Sequence, residues 1–279
     1  MRDVYGEYVS RQNIKNEERA AKRDDAYEVL LQNLDGIREY CEENNQDWPI
    51  IICGAEGTGK STLAIQCARH LDKDFKMSEN LIYSYAEGDL SLNNFMKKYM
   101  KTPFKAPVYD EAVTFMFSQK HAEKESKDSQ VIFKLKRECK HFDILVVQSF
   151  WDMLLDIRER RAKLLLYTYA DREKKGDGSY YLVHKFAFYT ASEMVQLSES
   201  KSARRAFRNH AQLFKIVPPV FSGTFPDLPI ELQREYKDLK WANMSNFLDK
   251  AFGAEGKTAR VGIEKSFDYS DFEEKYCKG

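Results

Sequence analysis

Residues 54–61, Gly-Ala-Glu-Gly-Thr-Gly-Lys-Ser, fit the pattern G-x-x-x-x-G-K-[ST] at every position. Glycines at such a turn let successive backbone N–H groups point inward at phosphate oxygens, and a helix N-terminus just after them favours negative charge. Lys60 would reach the β- and γ-phosphates, and Ser61 would give its hydroxyl to a magnesium ion. Gly54, Ala55, Glu56, Gly57, Thr58, Gly59, Lys60, Ser61 and Thr62 are therefore the expected nucleotide contacts. A second group of chemistry-bearing residues lies in "VYDEA": Asp110 is placed to order the magnesium shell, and Glu111 to polarise a water for attack on the γ-phosphate. ATP and Mg²⁺ are the implied cofactors, with Ser61 and Asp110 on the metal.

Two further sites follow along the chain. "FDILVVQS" ends in Gln148, and a polar residue at the carboxyl end of a central strand faces the ligand crevice of an open α/β sheet. "DIRERR" carries Arg158 and Arg161, three apart on one helical face, from which one could reach a transferring phosphoryl group across a subunit boundary. A GTPase is disfavoured, because the aspartate lacks a following x-x-Gly and no Asn-Lys-x-Asp reader occurs. A small-molecule kinase would not need the Asp-Glu pair. "GAEGKT", starting at Gly253, echoes the phosphate loop but is too short between its glycines and reads as a loop.

These residues need a scaffold, and the hydrophobic pattern supplies one. "WPIIICG", "FDILVVQS" and "AKLLLYTYA" have consecutive apolar residues, the mark of strands covered on both faces. "NLIYSYAEG" and "APVYDEA" are weaker strands. Helical patterns separate them: 16–45 with a stripe of Ala26, Val29, Leu30, Leu34, Ile37 and Cys41, then Lys60–His70, "SLNNFMKKYM", Ser118–Lys140 and "FWDMLLDIRERR". "REKKGDGSYYLVHKFAFY" predicts a hairpin turning at Gly176-Asp177-Gly178. "VPPVFSGTFPDLP" reads as an extended connector and "ELQREYKDLKWANMSNFLDKAF" as a helix. The expectation is an α/β three-layer sandwich: a mainly parallel central sheet, an antiparallel edge hairpin and a small helical C-terminal extension. Its parts would be an N-terminal helical segment 1–46, a core 47–190 and an accessory region 191–279.

Lys+Arg 44 balance Asp+Glu 44, so any contact with nucleic acid must come from a local patch. Two are visible: Lys201, Arg204, Arg205 and Arg208 around Phe207, and Arg172, Lys174 and Lys175 at the hairpin tip. Five scattered cysteines (Cys41, Cys53, Cys67, Cys139, Cys277) suit a reducing compartment better than disulfides or zinc. No apolar run approaches the ~20 residues that cross a bilayer, so the expected location is cytoplasmic, in a host's cytoplasm if the chain is viral.

Together, the phosphate loop, "YDEA", a strand ending in glutamine and an arginine-bearing segment resemble the FtsK/HerA-type branch of the additional-strand P-loop ATPases. The closer similarity is to Zot-like and packaging or transfer ATPases of viruses and mobile elements, over about Trp48 to Tyr169. The resemblance implies a Mg-dependent ATPase acting as a homo-oligomeric ring that translocates DNA, double-stranded by preference, with a portal or assembly protein as a further partner. It assigns Gln148 as sensor and Arg158 or Arg161 as the finger. Zot-like proteins commonly carry a membrane span, which is lacking here, and the added DNA-contacting domains of cellular relatives are lacking too. The alternative is a nucleotide-dependent switch or assembly ATPase that acts on a protein and never touches DNA.

Overall fold

The computed structural model describes residues 25–83, 91–110, 136–174, 176, 178–208, 213 and 216–245. Helix α1 (Asp25–Asn44) buries Tyr27, Leu30, Leu34 and Cys41 along one stripe. Val29, expected on that stripe, is 40 % exposed, and Tyr27 takes its place. Strand β1 (Ile50–Gly54) is buried at every residue. It feeds the phosphate loop and helix α2 (Lys60–Leu71).

The short helix α3 (Met77–Asn80) leads into β2 (Leu81–Tyr83). Helix α4 (Leu92–Tyr99) is capped by Ser91, whose hydroxyl accepts from the Asn94 N–H, and precedes β3 (Val108–Asp110). The predicted helix 118–140 falls mostly outside the described residues, and its end, Lys136–Cys139, is a 3₁₀ turn. Strand β4 (Ile144–Val147), a 3₁₀ turn (Phe150–Asp152) and a π-helical turn (Ile157–Arg161) follow. Strands β5 (Leu164–Lys174) and β6 (Tyr180–Thr190) form the predicted hairpin. Helices α5 (Ala191–Glu199) and α6 (Lys201–Arg208) precede β7 (Phe221–Thr224).

The seven strands run β2-β3-β4-β1-β5-β6-β7. The first five are parallel, and β6 and β7 each pair antiparallel with their predecessor in the sheet. The alternation of strand side chains then gives two packed faces. Helix α2 covers β1 and β4 on one face, with α1 laid on α2 and β7. On the other, Ile51, Leu145, Val147 and Leu165 pack with Phe150, Trp151, Met194 and Leu197 of the turns and α5. This is the expected three-layer sandwich. The hairpin is not the outermost pair, however. The Pro/Gly-rich stretch expected as a plain connector contributes β7, whose Phe221 stacks on Phe188 with ring centroids 4.6 Å apart.

Buried charges lock the segments that lead into β3 and β4. Lys136, fully buried, pairs with Asp143 and donates to the Tyr109 hydroxyl, tying the 3₁₀ turn to β3 and β4. Lys105 pairs with Asp72 at 3.1 Å, joining the end of α2 to the segment before β3. Buried ions survive only with such partners. The chain divides into two compact units, Met1–Arg234 and Glu235–Gly279. The boundary lies within the helix of residues 230–245, so the predicted C-terminal helix is present. No helix among the described residues is long and apolar enough to cross a membrane.

Candidate nucleotide site

The loop leaves β1 under tight steric control. At Gly54, with φ +157°, a Cβ would lie 2.2 Å from the Thr168 carbonyl oxygen on β5. At Gly59, with φ +84°, it would meet the Phe225 ring at 3.0 Å and His184 at 3.2 Å. Both positions therefore need glycine, one for close approach and both for backbone conformation. Between them, the Thr58 hydroxyl donates to the Ala55 carbonyl at 2.8 Å and lies 2.7 Å from the Thr168 hydroxyl.

Lys60 Nζ folds back on the loop, donating to the carbonyls of Gly54 at 2.9 Å and Ala55 at 2.7 Å. The ammonium thus lies where arriving phosphate oxygens could take over from neutral carbonyls. Ser61 Oγ donates to Asp110 Oδ1 at 3.0 Å, joining the start of α2 to the end of β3. Asp110 is buried. A hydroxyl and a carboxylate oxygen side by side are hard donors that suit Mg²⁺. Among the described residues no group of three or more His, Cys, Asp or Glu side chains gathers. An ion held here would thus draw its remaining ligands from nucleotide phosphates and water.

Strand β4 lies between β1 and β3, so its carboxyl end opens between the phosphate loop and Asp110. Gln148 is there: its carbonyl accepts from the Gly54 N–H at 3.3 Å and its side chain is exposed. Glu111, immediately after Asp110, lies outside the described residues. Behind the loop, burial pushes the Cys53 and Cys67 thiols up to about 12, so neither offers a thiolate at neutral pH.

The two arginines do not share a face. Arg158 turns inward, donating to Ser198 Oγ at 3.1 Å and to the Trp151 carbonyl at 3.2 Å. Burial holds its guanidinium below the ordinary value. Arg161 pairs with Asp47 and lines a cavity of about 360 Å³ with Arg137, Lys140, Arg160 and Lys163. That cavity is at the amino ends of β1 and β5. Five strand residues at ~3.3 Å each put it about 17 Å from the chain's own phosphate loop. Arg160 is the exposed member of the three, with its side chain 82 % accessible.

Two contributors escaped the sequence reading. Thr168, a polar residue amid an apolar strand, is fully buried and pins Thr58. The other is the segment after β7: Gln66 of α2 donates to the Pro226 carbonyl at 2.7 Å, and Phe225 stacks on His184 beside Gly59. Thr168→Val keeps the shape of the side chain but removes the pin. It should cost about 1–2 kcal/mol, read as a lower urea midpoint, and should weaken nucleotide binding. An unchanged midpoint with unchanged binding would show that the loop holds itself.

The loop, the Ser61–Asp110 contact and a strand inserted between β1 and β3 define a P-loop NTPase fold of the additional-strand type. No protein-family model matches the chain, and no curated protein does. Among solved structures it is similar to the N-terminal domain of zonular occludens toxin from Neisseria meningitidis, with 11 % identity over 66 % of this chain and 95 % of that one (TM-score 0.38). It is similar also to B204, the DNA-packaging ATPase from Sulfolobus turreted icosahedral virus, with 13 % identity over 66 % and 100 % (TM-score 0.35). A third is the Legionella pneumophila ATPase DotB, with 12 % identity over 58 % and 53 % (TM-score 0.33). The first two are of the kinds that the sequence resemblance names.

Proposed function

We propose that this chain is a Mg-dependent ATPase whose hydrolysis drives the movement of DNA. The observation that carries the ATPase part is the Ser61–Asp110 contact beside Lys60, with the exposed Gln148 following the strand that lies between β1 and β3. Backbone N–H groups at the start of α2 and the Lys60 ammonium bind and orient the phosphates. Magnesium, when bound with the nucleotide, neutralises charge on the phosphate oxygens; Ser61 and Asp110 would hold it. Glu111, next to Asp110, takes the proton of the attacking water, and the Gln148 side chain orients that water. An arginine from a neighbouring copy in a ring completes the charge balance, since Arg161 is too far from its own loop to do so.

The DNA part rests on the sequence resemblance and on local positive faces. Helix α6 buries Ala203 and Ala206 and leaves Lys201, Arg204 and Arg205 exposed, with Phe207 held against Trp151 and Tyr167. The test is phosphate release from ATP with and without double-stranded DNA. Stimulation several-fold or more is expected. Hydrolysis indifferent to DNA would sink the motor and favour a switch or assembly ATPase acting on a protein.

A further inference from the structure

The β5–β6 hairpin extends well past the sheet. Strand β5 pairs with β1 only as far as Thr168, and β6 pairs with β7 only over Lys185–Phe188. Beyond that, apart from the Phe225 N–H that donates to the His184 carbonyl at 3.1 Å, the described residues of 169–174 and 180–184 form backbone pairs only with each other. From Thr168 to Lys174 is six residues, so at ~3.4 Å each this two-stranded ribbon reaches about 20 Å past its last pairing with β1.

Strand alternation sorts the ribbon's side chains into two unlike faces. Directly opposed residues share a face, so one carries the pairs Asp171–Val183 and Glu173–Tyr181 together with Lys185. That face is satisfied internally: Lys185 donates to Asp171 at 2.8 Å, and the Tyr181 hydroxyl donates to Glu173 at 2.9 Å. The other carries Ala170–His184, Arg172–Leu182 and Lys174–Tyr180. Among the described residues its own strands supply no carboxylate, and the Asp227 carboxylate reaches only its inner end, 3.6 Å from His184 Nε2. Arg172 and Lys174 are exposed, Tyr180 is 65 % accessible and Leu182 42 %. This second face is also the phosphate-loop face, because Thr168 on it touches Thr58 and His184 on it lies against Gly59.

We propose that the face bearing Arg172, Lys174 and Tyr180 grips the phosphodiester backbone of duplex DNA. Two unopposed cations neutralise phosphates, the exposed ring covers sugar and base edges, and a two-stranded ribbon is of a width that DNA's major groove admits. Continuity through His184 to Gly59 makes this the element by which DNA acts on hydrolysis. The inference rests on the DNA-motor reading above and names its contact surface.

The experiment uses the full chain and a fluorescent duplex, measuring anisotropy across a salt series and ATP hydrolysis with and without that duplex. In the double variant Arg172→Glu, Lys174→Glu, binding at moderate salt should fall at least about tenfold. The slope of log affinity against log salt should flatten by about 2, at ~0.9 per phosphate contact. Stimulation of hydrolysis should vanish, while the DNA-free rate stays at the wild-type level. The charge-keeping variant Arg172→Lys, Lys174→Arg should bind as the wild type does. Wild-type affinity and slope in the reversed variant would overturn the ribbon assignment alone. Loss of the DNA-free rate in that variant would overturn it as well, marking the ribbon as a structural part of the ATP site. A wild-type chain that binds no duplex would bring down the motor reading and the ribbon with it.

Discussion

Lys60→Ala should abolish ATP hydrolysis, with a loss of at least about a hundredfold, and should weaken nucleotide binding, while leaving the fold intact. The ammonium makes its described contacts with the Gly54 and Ala55 carbonyls, inside the loop it serves. Both hydrogen bonds are only part-buried, so water can replace the lost donor and the fold loses about 1–2 kcal/mol. Phosphate oxygens have no such substitute, because a positive charge fixed beside them in a partly desolvated loop is worth more than the same charge in water. Equilibrium binding of a fluorescent ATP analogue, phosphate release and a thermal melt, run side by side, check all three parts. A variant that still hydrolyses ATP at the wild-type rate would remove Lys60 from the site. One that melts far below the wild type would show the lysine to be a structural strut.

What could be read from the sequence divides according to how local the determining interactions are. The isoleucines of "WPIIICG" and the apolar run of "FDILVVQS" mark central strands because burial on both faces is written in consecutive residues, and β1 and β4 are buried throughout. The phosphate loop is contiguous and equally plain. Strand β7 is not, since its four residues between prolines are a strand only by pairing with β6. Thr168 looks like one polar interruption in "LLLYTYA". Its role exists only in the register that sets it opposite Gly54. The arginines fail for a different reason. Placing Arg158 and Arg161 on one face assumes 3.6 residues per turn, whereas the segment is a π-helical turn with i→i+5 bonding. The added residue swings Arg158 to Ser198 and Arg161 to Asp47.

Glu111→Gln should separate binding from chemistry in a way that Lys60→Ala cannot. If Glu111 accepts the proton of the attacking water, as proposed, the amide keeps the size of the side chain and loses only its basicity. Hydrolysis should then fall about 10²- to 10⁴-fold, the usual contribution of a general base. ATP affinity should hold, because the Lys60 and Ser61–Asp110 contacts are untouched. The argument for this residue is one of position. Asp110 closes β3 with its carboxylate accepting from Ser61, and Glu111 is the next residue along the chain. Single-turnover hydrolysis with radiolabelled ATP, beside a filter-binding measurement of retained ATP, reads the two quantities separately. A variant that traps ATP without cleaving it assigns the base. If cleavage persists at the wild-type rate, the proton goes elsewhere, and Asp110 becomes the remaining carboxylate at the end of β3 able to take it. If affinity falls together with cleavage, Glu111 belongs to the binding shell and the role of base must be reassigned.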